Sequence, residues 1–238
     1  MARAVSRWQP KWKGLASPRD CPHGRIMRTL LLVAALFAAP AAAQDSSFVG
    51  EYGLAEGPDV GGGLLIRSGG RFQYMLAAGA LDERAEGRWE TRGDMVCLTT
   101  DPRPVPPAMQ KGAPIEVEGN TPTLLVTWPN GKGIPGVDFT IGFDSGQPAQ
   151  DYTQTYGWTM PEDDKRIPRW IEVREPIYGI TAPRFELTEA DGGKLRVIIV
   201  PNDIGVVNFE GACAEKTERG LTLHRAEGDM RFERLGGA

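Results

Sequence analysis

Apolar and polar side chains alternate along much of the chain between Gly61 and Thr100. In "RFQYMLAAG", Phe72, Tyr74 and Leu76 fall on one parity and Arg71, Gln73 and Met75 on the other. In "ALDERAEGRWE", Leu81, Glu83, Ala85, Gly87 and Trp89 oppose a charged ladder of Asp82, Arg84, Glu86 and Arg88. Strands point successive side chains to opposite faces, so this period of two predicts sheet with one core face and one wet face. Ser68-Gly69-Gly70 and Arg92-Gly93-Asp94 supply turns between the runs, and "MVCLTT" continues them, at the roughly ten-residue spacing of a β-meander.

The regime breaks at "DPRPVPPAMQKGAP", residues 101–114, which holds five prolines in fourteen residues. Proline removes ladder donors and holds the backbone extended, so the segment reads as a semi-rigid crossover. Beyond it, Thr123 to Trp128 and Val137 to Phe143 read as strands flanking an Asn130-Gly131 turn. "QDYTQTYGWTM" and "RIPRWIEVRE" follow, rich in aromatic and β-branched residues. Alternation resumes in "PRFELTEA", "KLRVIIV", "GVVNFEGACAE", "GLTLHRA" and "MRFERL", separated by glycine turns.

These patterns predict an all-β chain: an antiparallel meander forming a calycin-like, partly closed barrel, interrupted by a small β-sandwich-like module. The expected boundaries are 44–112 for the first half of the meander with its proline-rich crossover, 113–176 for the module, and 177–238 for the second half. The phrase at Gly70 to Leu98 resembles glycine, aromatic and charged repeats of secreted bacterial β proteins. "GIPGVDFTIGF" followed by "YTQTYGW" resembles a transthyretin-like or carboxypeptidase regulatory module, in which a strand carrying Val and Phe precedes a Thr-x-x-x-Gly turn. Neither resemblance brings a catalytic residue with it.

The stretch from residue 27 changes the picture of the compartment. Met27-Arg28 is a basic start, Leu30 to Ala39 an apolar core shorter than the about 20 residues of a membrane span, and Ala41-Ala42-Ala43 a small-residue cleavage site. Residues 27–43 therefore read as a signal peptide, and residues 1–26 as an upstream extension preceding a translation start at Met27. No integral membrane segment is expected after its removal, and the location is periplasmic or secreted. Of 27 Lys+Arg and 31 Asp+Glu, seven basic residues and one acidic residue precede Gln44, which leaves 20 against 30. An excess of negative charge this large argues against a nucleic-acid partner. Only Cys97 and Cys213 follow the signal, and an isolated pair in an oxidising compartment predicts one disulfide.

Candidate chemistry is sparse. His224 is the one histidine after the signal and sits on the polar parity of "GLTLHRA"; no G-x-S-x-G elbow is present. A single histidine does not make a zinc site, and Glu162-Asp163-Asp164 and Asp144 lack the ordered spacing of a calcium loop, so no metal or other cofactor is expected. "PDVGGGLL" and "NGKGIPG" lack the G-K-[ST] ending of a phosphate loop. Two carboxylates suffice for glycoside hydrolysis, with Asp82, Glu83 or Glu86 as one member and Glu172 or Glu210 as the other. The aromatic residues Tyr152, Tyr156 and Trp158 lie at even spacing, with Trp128 and Trp170 in neighbouring segments, and a row of this kind stacks against sugar rings, peptides or apolar partners, or fills the module's core.

The reading that results is an exported binding or scaffolding module, with Tyr152, Tyr156 and Trp158 as candidate ligand-binding residues and a protein, a glycan or a small molecule as partner. A carboxylate-dependent hydrolase is the alternative. Signal processing predicts a mature N-terminus near Gln44. Intact-mass measurement of the exported protein checks this, and retention of residues 1–43 refutes the signal assignment.

Overall fold

The computed structural model describes residues 45–236, apart from 56 and 58; the expected signal peptide and upstream extension lie outside the described residues. The first meander folds as β1 (Gly50–Leu54), β2 (Val60–Ile66), β3 (Arg71–Ala78), β4 (Leu81–Arg92) and β5 (Met95–Thr100). Eight further strands follow, none of them in this sheet: β6 (Ala108–Gly112), β7 (Leu124–Thr127), β8 (Asp138–Phe143), β9 (Ala149–Tyr152), β10 (Pro168–Glu175), β11 (Ile180–Thr181), β12 (Phe185–Glu186) and β13 (Leu195–Val200). The chain then completes the sheet with β14 (Glu210–Lys216), β15 (Gly220–Arg225) and β16 (Gly228–Leu235).

Eight of these strands close an antiparallel barrel in the order β1-β16-β15-β14-β5-β4-β3-β2. Closure joins β1 to β16, with Glu51 opposite Leu235 and Gly53 opposite Glu233, and so removes both sheet edges. The period of two is realised as expected: on β4, Ala85, Gly87 and Trp89 are buried while Asp82, Arg84, Glu86 and Arg88 face water. The interior is filled by large rings and aliphatic side chains, among them Phe72, Tyr74, Trp89, Phe209 and Phe232 with Leu64, Ile66, Leu98 and Leu223. At about 1.5–3 kcal/mol for each fully buried large apolar side chain, this column is the main driving force of the barrel.

Both ends of the barrel are stopped. At one end a short 3-10 turn at Ser46–Phe48 lays Phe48 under the barrel, where it is 1% exposed. Tyr52 donates to the Phe48 carbonyl at 2.7 Å, and Arg234 donates to the Tyr52 hydroxyl at 2.7 Å and to the Ser47 and Val49 carbonyls. At the other end Tyr74, Glu83 and Arg225 meet beneath the β3–β4 and β15–β16 turns.

The insertion between β5 and β14 is a two-layer module. One layer is β6-β13-β7, with β13 antiparallel to β6 and parallel to β7; the other carries β11-β10-β8-β9, with β12 also on β10. Leu124, Val126, Val197 and Ile199 from the first layer pack on Phe139, Ile141, Ile171 and Val173 from the second, which makes a separate core.

The pairing corrects the expected boundaries. Residues 177–200 do not rejoin the meander: β11 and β12 pair with β10, and β13 joins β6 and β7. The proline-rich crossover also contributes a strand, β6, between Pro107 and Pro114. The interruption therefore runs over residues 101–209 rather than 113–176, and the barrel resumes at Glu210. Alternation specifies that "KLRVIIV" is strand but does not specify which sheet receives it.

Cys97 on β5 and Cys213 on β14 stand directly opposite each other and form a disulfide, with Cα atoms 3.9 Å apart and 116 residues between them in sequence. Val96 and Leu98 point into the barrel, so Cys97 lies on the outer side of the wall. Replacing both cysteines with alanine is expected to cost roughly 4 kcal/mol, the loop-closure entropy of a crosslink across about a hundred residues. Urea denaturation of the oxidised protein and of the double variant measures it. A loss below about 1 kcal/mol would mean that the strand ladder alone holds the seam.

Candidate functional site

The stopped, ring-filled interior directs attention to the outer wall. There the register aligns Glu233, Gly53, Gly63, Met75 and Arg84 in one row across five strands, and Leu235, Glu51, Leu65, Gln73 and Glu86 in the next. The first row has no side chain at its centre. Met75, 65% exposed, stands on one side of this bare strip, and Leu235, 51% exposed, on the other. The result is a groove of about 800 Å³, within the size range of small-molecule sites.

The insertion supplies the far wall of the groove through Pro102, Pro104, Asp203 and Val206. Before Gly87 the strand β4 does not pair with β5, and its free edge is taken by the returning arm: the Arg84 amide donates to the Gly205 carbonyl at 2.8 Å and the Val207 amide to the Arg84 carbonyl at 2.9 Å. Gly205 has φ 75°, and a Cβ there would lie 2.5 Å from the Asp82 carbonyl oxygen, so only glycine permits this approach. The two arms also hold each other, because Asp203 accepts from the Val105 amide at 2.8 Å and Asn202 donates to the Pro106 carbonyl at 2.8 Å.

The glycines of the strip differ from Gly205. Gly53, Gly61 and Gly63 all have ordinary extended backbone, outside the left-handed region. A Cβ on Gly61 would meet nothing within 4 Å, one on Gly63 only the Tyr52 carbonyl oxygen at 3.2 Å, and one on Gly53 the flexible end of Leu235 at 3.1 Å. Glycine inside a strand costs roughly 0.5–1 kcal/mol relative to alanine, and here the fold offers little in return. Charge gathers at the rim, with Glu51, Glu86 and Asp203 against Arg84. Among the described residues the side chains of Glu51, Glu86 and Arg84 form no ion pair.

The structure separates the aromatic residues expected to form one row. Tyr152 ends β9 with its ring 54% exposed. Thr153 then turns inward, donating its hydroxyl to the Ile134 carbonyl at 2.7 Å, and Gln154 to Gly157 form a tight turn that carries Tyr156, also 54% exposed, at its tip. Trp158 is half-buried: it bridges to Leu124, packs edge-on against Phe139 with centroids 5.1 Å apart, and donates from Nε1 to Asp151 at 3.0 Å. Even spacing predicted one face only if the strand continued, and the inward hydrogen-bonded threonine stops it. Trp170 lies across Gly142 under the Arg184 guanidinium, 3.7 Å from the ring centroid.

Three of the five candidate carboxylates are paired with an arginine. Glu172 pairs with Arg184, Glu210 with Arg103, and Glu83 with Arg225. Asp82 and Glu86 lie on the exposed face of β4. His224 is exposed, with Nδ1 2.8 Å from an Asp229 carboxylate oxygen. Among the described residues no three His, Cys, Asp or Glu side chains converge to hold a metal ion, and no helix is long and apolar enough to cross a membrane. No protein-family model, curated protein or solved structure matches this chain.

The buried ionic cluster at the barrel end acts as a stopper. Arg225 grips Glu83 with both terminal nitrogens, at 2.7 and 3.2 Å, and donates to the Tyr74 hydroxyl at 2.8 Å, which itself donates to Glu83 at 2.9 Å. Burial drives the Tyr74 phenol well above its ordinary range despite the opposing pull of the Arg225 charge. Burial acts to lower Arg225, but its hydrogen bonds to Glu83 together with the charges of the groups around it, Glu83 and Glu227 among them, raise it. Both groups therefore hold their protons across the working pH range. Glu83→Ala would leave a guanidinium only 9% exposed with the exposed Glu227 as its remaining carboxylate and is expected to cost about 3 kcal/mol, whereas Glu83→Leu with Arg225→Met recovers most of that loss. Urea midpoints of the three proteins check the pair of outcomes.

Proposed function

We propose that the protein is an extracytoplasmic binding protein, periplasmic or secreted, whose site is the groove on the outer wall of the barrel. The observation that carries this reading is the groove's floor: Gly62 and Gly63 line it without side chains, and at Gly63 the backbone is ordinary extended strand and a Cβ would press only on the Tyr52 carbonyl oxygen, at 3.2 Å. Glycine within a strand marks places where a ligand approaches the backbone closely. The export reading is supported by the leader pattern and by the Cys97–Cys213 disulfide, since thiols in the cytosol are kept reduced.

Shape and charge narrow the ligand. A floor without side chains between Leu65, Met75 and Leu235 suits a flat apolar body, and a rim of three carboxylates against one guanidinium favours a positive group on it. The ligand class is thus a planar organic cation. Binding needs no movement of the barrel, because the floor is fixed by the β1–β2–β3 ladder and the far wall by the paired arms of the insertion.

Fluorescence titration separates the contributions. The planar cation 9-aminoacridine is expected to bind at least about tenfold more tightly than the anion 8-anilinonaphthalene-1-sulfonate. Gly63→Val fills the floor and should abolish binding of both probes while thermal stability holds. Glu51→Gln with Glu86→Gln, exposed changes on the rim, should erase most of the preference for the cation. Equal binding of the two probes, or full binding by a folded Gly63→Val protein, overturns the proposal.

A further inference from the structure

The insertion carries a second groove, of about 870 Å³, on the outward face of its β9-β8-β10-β11 layer. The register sets Tyr152, Asp138, Arg174 and Thr181 in one row across this face, and Gln150, Thr140 and Glu172 in the next. The short Thr140 lies along the middle, so the longer side chains on either side form walls. One wall ends in the exposed Tyr152 ring; the other carries Glu172 and Arg174.

The polar groups of these walls have hydrogen-bonding capacity to spare. Among the described residues the side chains of Asp138 and Arg174 make no hydrogen bond or ion pair. Gln150 spends only a long 3.4 Å contact on Thr140, and Arg184 contacts just one of the two Glu172 oxygens. Carboxylate, carboxamide and guanidinium are all planar two-point groups, matched to vicinal pairs of hydroxyls. Most of the charge is balanced, since Glu172 is paired with Arg184 and Asp138 stands beside Arg174 in the same row, and the remaining carboxylate, Asp151, is held by the Tyr152 amide and Trp158 Nε1. A strongly charged ligand would meet its own sign in either half of the groove, whereas a neutral polyol meets complementary groups throughout.

From these features we infer that this face is a second binding site, distinct from the barrel groove, for a short neutral oligosaccharide. The Tyr152 ring provides the plane against which the apolar C–H face of one sugar stacks, and Asp138, Gln150 and Arg174 take the hydroxyls of that sugar and its neighbour. Trp170 does not offer a second plane, because Arg184 covers its ring.

The test is calorimetric titration of the full chain with cellotetraose, xylotetraose and maltotetraose, alongside tetragalacturonate and the glucosamine tetramer as charged counterparts. At least one neutral oligosaccharide is expected to bind below about 10 mM, and the charged tetramers at least about tenfold more weakly. Tyr152→Ala should weaken the neutral ligand roughly tenfold through loss of stacking, and Asp138→Ala by a similar factor through loss of a charged hydrogen-bond acceptor. Both positions are exposed, so thermal stability should not change, and 9-aminoacridine titration of the same variants should match the unsubstituted protein. The inference is overturned if none of the neutral tetramers binds up to about 10 mM, if a charged one binds as tightly, or if both variants bind with unchanged affinity.

Discussion

The structure depends on one seam. β5 and β14 must lie side by side for the barrel to close, yet residues 101–209 separate them in the chain. Loop-closure entropy grows only slowly with length, by roughly 0.6 kcal/mol for each doubling, so a long insertion at this point is tolerated provided the two strands recognise each other. Here the recognition has three parts: the ladder from Met95 opposite Glu215 to Thr99 opposite Glu210, the disulfide within it, and Phe209, whose amide and carbonyl both bond Thr100 as its ring enters the barrel core. The insertion's own core gives its ends a reason to be near each other, because β6, close after the departure, pairs with β13, close before the return.

The seam also makes the groove. An insertion that leaves and returns at one place brings two chain segments over the neighbouring wall, and the pairing of Gly205 and Val207 with Arg84 lays the returning arm along the edge of β4 that β5 has vacated. The groove is therefore built from β1 to β4, Leu235 of β16 and a wall from either end of the insertion. The disulfide itself contributes no residue to the groove.

Much of the fold was legible in the sequence, for a physical reason. Strands that face a core on one side only must alternate, and β3 and β4 do so almost without exception, so their faces, their turns and the all-β class follow from residue order. The cysteine pairing followed from there being only two cysteines beyond residue 43. What failed was information that no local pattern carries. β6 hides behind prolines, β13 alternates as a barrel strand would yet pairs inside the insertion, and the Tyr152–Trp158 row is broken by Thr153, a polar residue that the structure buries. The barrel groove had a signal, the run Gly61-Gly62-Gly63, in a segment that lacks the ending of a phosphate loop. Its meaning emerges from register, because Gly53 lies opposite Gly63 on the adjacent strand.

The two faces of β2 explain how a strand so poor in side chains survives. Leu64 and Ile66 point into the barrel and are each 1% exposed, contributing about 1.5–3 kcal/mol apiece. That exceeds the roughly 0.5–1 kcal/mol that each outward glycine costs, and barrel closure fixes the register that a glycine-rich strand would otherwise let slip. Only Gly62 is required by the interior, since a Cβ there would lie 2.7 Å from the Met75 carbonyl oxygen. Stability thus resides on the inner parity and the groove on the outer one. Substitutions at Gly63, Leu65 or Met75 alter the groove with small effect on folding, while changes at Leu64, Phe72 or Tyr74 unfold the barrel before they can report on the groove.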